Sequence, residues 1–143
     1  MRVVVDTSVI VSAAMSASGA SREVIRLCLL GRLSPLMGNA LFAEYEDVCA
    51  RDALFDARLI SRNNREALLD AFLASSVWVP IYFLWKPNLP DEADNHVMEL
   101  AVAGDAKAII TYNRKDFRRT ELRFPGIGIL GPGEFLREEK LTK

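Results

Sequence analysis

The sequence predicts an α/β fold, a three-layer α/β/α arrangement around a central, mostly parallel sheet of four to five strands. Three observations carry this. The β-branched run Arg2–Val5 and the apolar run Ala108–Thr111 show no polar alternation, as expected of strands covered on both faces. Helical patterns separate the strand-like runs, and single crossovers between them imply parallel pairing. With 143 residues, half of them apolar, the chain is expected to form one domain, residues 1–143, with its own core.

Taken in order, Arg2–Val5 is a buried strand that passes through Asp-Thr-Ser directly into a helix over Val9–Met15. Ser21 opens a second, amphipathic helix with Val24, Ile25, Leu27, Cys28 and Leu29 inward, and Gly31 ends it. Leu36–Met37 is a brief strand, and Asn39 is expected to cap the helix that follows, whose stripe is Leu41, Tyr45, Val48 and Cys49. Ser61 begins another helix. Val77–Leu84 reads as one or two strand pieces broken by Pro80, which suits an edge position. A helix opened by Asp91 leads to the buried strand Ala108–Thr111. Gly126–Leu130 is a last short strand before a Pro-started helix.

A net charge of −1 excludes a protein held to nucleic acid by bulk charge, so any such partner must meet local basic patches. Cys28 and Cys49 lie in helical patterns without CxxC spacing, which suggests reduced thiols of a cytoplasmic protein that fill the core. The N-terminal apolar run is divided by Asp6, which argues against a targeting segment, and no stretch reaches the roughly 20 residues of a membrane span.

The acids are the informative residues. In the helix over 91–103, Ala93, Val97, Leu100 and Ala101 set the inward face, and Asp94 lies on it, in one row with Val97, Met98 and Ala101. An inward carboxylate requires a metal, a cap or a basic partner, because an unpaired buried charge costs several kcal/mol. Asp91 lies roughly 60° further round, toward solvent. Asp6 follows the first strand, and Thr111, Asn113 and Asp116 follow the buried one. In the helix after the second strand, Glu44 and Glu46 occupy opposite edges of the apolar stripe, and periodicity does not choose between them. In a parallel sheet such positions converge at the carboxyl ends of the strands. Singly, each acid is explained as a helix cap or solvated position; jointly, they form a site for a hard dication such as Mg²⁺ or Mn²⁺. His96 falls away from the inward face and is expected at the surface.

VVVDTSVIVSA, LFAEYEDV and DEADNHVMELAVAGDAKAIITYNRKDF together resemble the PIN domain, in particular the toxin component of VapC-type bacterial toxin–antitoxin pairs. The resemblance implies a Mg²⁺- or Mn²⁺-dependent endoribonuclease with Asp6, Glu44, Asp94 and Asp116 as catalytic and metal-holding acids, and it selects Glu44 over Glu46. Many members carry an acid where this chain has Asn113; here Asp116 stands three residues later, and Asp91 is a further metal candidate through water. Ser8, Thr111, Asn113 and Arg114 are the candidate substrate contacts, with Arg114 heading the basic run completed by Lys115, Arg118, Arg119 and Arg123. The reaction implied is hydrolysis of an RNA phosphodiester by water attacking in line at phosphorus, assisted by one or two ions. The resemblance further implies a cognate antitoxin and a homodimer formed through helices, for which Leu27–Leu30 and Trp78–Trp85 are candidate surfaces. A nucleotide-binding α/β domain is disfavoured by the lack of GxGxxG and GxxxxGK[ST]. The remaining alternative is a catalytically weak or inactive module that keeps the fold and binds a protein or RNA.

Overall fold

The computed structural model describes residues 1–16, 19–80, 92–118 and 123–140, with residues 92–95 described by their helical backbone alone. Five strands form one sheet: β1 (Arg2–Val5), β2 (Ser34–Met37), β3 (Val77–Trp78), β4 (Ala108–Ile110) and β5 (Gly128–Leu130). Their order is β3-β2-β1-β4-β5, and every pairing is parallel. Flanking them are α1 (Thr7–Met15), α2 (Ala20–Leu29), α3 (Asn39–Ala50), α4 (Arg62–Ala74), α5 (Glu92–Ala103) and α6 (Pro132–Glu138). The result is the three-layer α/β/α architecture expected from the alternating pattern.

The strand residues explain the order. Val3, Val4 and Val5 of β1 and Ile109 and Ile110 of β4 are fully buried, as residues of central parallel strands covered on both faces must be. Val77 and Trp78 remain exposed, which matches their place at the sheet edge. Helix α5 packs across β1, β2 and β4 through Val97, Leu100 and Ala101, so the face read from periodicity is the one that is buried.

The helix ends follow local chemistry, with corrections at α2 and α3: Gly19, not Ser21, precedes α2, Ser21 is buried inside its first turn, and Leu29, expected inward, is exposed. Ser61 caps α4, its hydroxyl accepting from the Asn64 amide at 3.1 Å, and Gly31 takes φ +78° just beyond α2. The residue before α3, however, is Gly38, which offers no side-chain cap, and Asn39 is the exposed first residue of the helix. The Asp91 cap expected for α5 lies outside the described residues, as do residues 81–85 of the Trp78–Trp85 surface and Arg119.

Two contacts position α3. Fully buried Tyr45 packs its ring on Phe72 of α4, centroids 5.5 Å apart, and its hydroxyl donates to the Val5 carbonyl at the end of β1. At the other end of the helix, Arg65 is 4% exposed, donates Nε–H to the Cys49 carbonyl at 3.0 Å and pairs with Asp52. Among the described residues no helix is long and apolar enough to cross a membrane.

Gly104 closes α5 against the sheet. A Cβ there would stand 2.4 Å from Leu36 Cδ1 and 3.2 Å from the Leu100 carbonyl. Gly104→Ala is therefore expected to destabilise the chain by about 1–3 kcal/mol through overpacking, read as a lowered urea midpoint at unchanged m-value. A midpoint at or above the original would contradict this packing.

Candidate active site

Asp6 is the first residue after β1. Its backbone N–H still donates to the Ile110 carbonyl of β4, at 3.0 Å, so the chain leaves the sheet only beyond it. Asp6 is 4% exposed and accepts three hydrogen bonds: Oδ1 accepts from the Thr7 amide at 2.9 Å, and Oδ2 accepts from the Ser8 hydroxyl at 2.8 Å and the Thr111 hydroxyl at 2.7 Å. The bond to Thr7 makes Asp6 the N-cap of α1, so the capping role and the candidate site role coexist in one carboxylate.

Thr7 carries the site outward. Its hydroxyl donates to Glu44 Oε1 at 2.8 Å, joining α1 to α3. The ambiguity between the two α3 glutamates is thereby resolved: Tyr45, fixed on the Val5 carbonyl, brings its neighbour Glu44 to Thr7, while Glu46 is exposed. The other Glu44 oxygen, Oε2, lies 2.7 Å from His96 Nε2 on α5. His96 is thus not a surface residue; its side chain is 19% exposed and belongs to the site. The helical wheel missed it because α5 is contacted by α3 as well as by the sheet, so a second side of the helix is covered.

The two carboxylates are perturbed in opposite directions. Burial pushes the Asp6 carboxyl above its ordinary 3.8, hydrogen bonds from Thr111 and Ser8 offset only part of this, and the nearby Glu44 charge adds to the rise. Burial also raises Glu44, but its bonds to His96 and Thr7 outweigh it, and the group falls below its ordinary 4.5.

The other predicted residues fall as follows. Thr111 is completely buried, donates to Asp6 and accepts from the Asn113 amide at 2.9 Å, so it holds the site together from β4. Ser8 accepts from the Tyr112 amide at 3.3 Å besides bonding Asp6. Asn113 is exposed. Asp116 sits half-buried in the 3₁₀ turn Arg114–Phe117 and, among the described residues, shares no hydrogen-bond donor with Asp6 or Glu44. Arg114 is exposed and pairs with Glu134 of α6 at 3.1 Å. Asp94 stands in the first turn of α5, one turn before the buried Val97 and Met98, and its side chain is outside the described atoms. Among the described residues, no group of three or more His, Cys, Asp or Glu is arranged to hold a metal ion.

The donor chemistry nevertheless suits a hard cation. A carboxylate has about four acceptor positions. Asp6 uses three and Glu44 two, which leaves oxygen lone pairs on both, and the raised Asp6 value marks a charge that a nearby dication would stabilise.

The fold is that of a parallel α/β domain, in which ligands bind at the carboxyl ends of the strands, and Asp6 stands at that end of the central strand. The chain belongs to the PIN domain family, whose model matches residues 2–115, and PIN domains are generally nucleases. No curated protein and no solved structure matches the chain.

Carboxyl-detected NMR titration of the metal-free protein tests the electrostatics. Asp6 is expected to titrate above 3.8 and Glu44 below 4.5, and His96→Gln is expected to raise Glu44 while leaving Asp6 above its ordinary value. For stability the signs are opposed. Ionised Glu44 stabilises the fold above 4.5, a contribution lost as pH falls through its lowered folded value; Asp6 favours its protonated form, so its contribution declines as pH rises from 3.8 through its raised folded value. A Glu44 value unmoved by His96→Gln would contradict the pairing.

Proposed function

We propose that the protein is a divalent-metal-dependent endoribonuclease, hydrolysing RNA phosphodiester bonds as the toxin of a toxin–antitoxin pair. The observation that carries this is the Asp6–Thr7–Glu44–His96 chain of hydrogen bonds at the carboxyl end of β1, in a member of a family whose members are generally nucleases.

Asp6 and Glu44 would hold Mg²⁺ or Mn²⁺, with Asp94 and Asp116 completing the set and Asp91 assisting through water. When bound, such an ion supplies neutralisation of phosphoryl charge and lowers the pKa of water. The chain's own residues prepare the site. Ser8 and Thr111 fix the Asp6 carboxylate in one orientation, and Thr7 sets its separation from Glu44. His96 keeps Glu44 ionised by donating to it. Asn113 and Arg114, both exposed, would meet substrate backbone, Arg114 by leaving its pair with Glu134, with the exposed Lys115 and Arg118 extending the charge. An antitoxin would cover the acidic rim. Exposed Leu29 and Leu30 at the end of α2 support a homodimer formed through helices, and a cytoplasmic location accords with two buried free thiols. The alternative of a weak or inactive module draws on the lack of a three-residue metal cluster among the described residues.

Cleavage of a structured RNA decides between them. With Mn²⁺ the natural chain is expected to cut, EDTA to abolish cutting, and Asp94→Asn and Glu44→Gln each to lower the rate at least about 100-fold, as loss of a residue needed for transition-state charge stabilisation does. Equal cutting by the variants would remove the nuclease reading, and no cutting with any metal would favour the binding module.

A further inference from the structure

The His96 ring serves two neighbours. Its Nε2 engages Glu44, and the same ring lines a cavity of about 450 Å³ whose walls include Gly38, Leu41, Trp78, Val79 and Leu100. The cavity opens at the carboxyl ends of β2 and β3, on the sheet edge where Asp6 ends β1. Strands lie about 4.8 Å apart, so β3 is about 10 Å from β1, a separation the nucleotide next to one held at Asp6 can bridge.

The lining has the character of a base pocket. Most of it is apolar. Trp78 is 48% exposed, yet its ring is steadied by Phe42, with centroids 5.6 Å apart and planes at 59°, so an aromatic surface is both accessible and fixed. Asn39, exposed at the start of α3, adds an amide to the lining, and the buried Glu99 of α5 adds a carboxylate. The second imidazole nitrogen, His96 Nδ1, is buried without a hydrogen-bond partner among the described residues. With Nε2 engaged by the Glu44 carboxylate, Nδ1 is the ring atom left to meet a polar group of a ligand, such as those on the edge of a nucleobase or a ribose hydroxyl.

We propose that this cavity is a subsite for one unpaired nucleobase of single-stranded RNA, stacked on Trp78, beside the phosphodiester at Asp6 and Glu44. The identity of the ligand rests on the nuclease reading above. A base fits better than a protein segment because the cavity has the dimensions of a small-ligand site and is joined to the acids through His96. Stacking also requires an exposed base face, which a duplex withholds, so unpaired RNA is the preferred substrate.

Binding measured in EDTA, where nothing is cut, tests this without reliance on catalysis. The probe is a short fluorescent single-stranded RNA of mixed sequence, compared with the same strand made abasic. Trp78→Ala is expected to weaken binding of the intact strand about tenfold, within the range for one stacked base, while Trp78→Phe retains most of the affinity. Removing the bases should weaken binding to the natural chain and leave it insensitive to Trp78→Ala. Unchanged affinity in Trp78→Ala, equal sensitivity with abasic RNA, or no binding by the natural chain overturns the proposal. So does a Trp78→Ala protein whose only change is its solution mass, which would assign the face to a second copy. Should the Mn²⁺ assay show Asp94-dependent cutting while Trp78→Ala alters nothing, the nuclease reading stands and the subsite falls. Should cutting fail while base-dependent binding to Trp78 persists, the reverse holds.

Discussion

A carboxylate withdrawn from water at the end of the central strand ties the functional edge of this protein together. Asp6 takes donors from the first turn of α1 and from Thr111 beyond β4, and Thr7 passes the connection to Glu44 on α3 and so to His96 on α5. Four segments separated in sequence therefore depend on one charge. Burial of such a group weakens a fold rather than strengthening it, and three hydrogen bonds offset that cost only in part.

The opposed perturbations of the two acids give them different tasks. Glu44, hydrogen-bonded by the His96 imidazole and the Thr7 hydroxyl, is held below its ordinary value. Asp6, lacking any basic side chain among its bonded partners, gains most from an external positive charge. The environment of Asp6 supplies dipoles but no counter-charge.

The strands and the order of the helices were legible in the sequence because β-branched runs and 3.6-residue periodicity report burial directly. The inward row of α5 was legible for the same reason: Val97, Met98 and Ala101 are all buried. Features set by packing between helices were not. Choosing Glu44 over Glu46 requires Tyr45 to reach the Val5 carbonyl, a contact across 40 residues. His96 is drawn in by α3, which no pattern within α5 encodes; its standing as the only histidine, two residues after Asp94, was the available signal. Asn39 has the chemistry of a cap, but Gly38 supplies the extended backbone at that position and takes the role. The turn carrying Asp116 depends on 3₁₀ geometry that spacing alone does not specify.

The parallel topology has a consequence for biosynthesis. The Thr111 hydroxyl reaches Asp6 across 105 residues, and β1 finds its β4 neighbour only when that distant segment is available. During translation the three valines of β1 must wait, one flank unpaired, until most of the chain has left the ribosome. The Thr111 side of the acidic edge is therefore added only after that segment emerges.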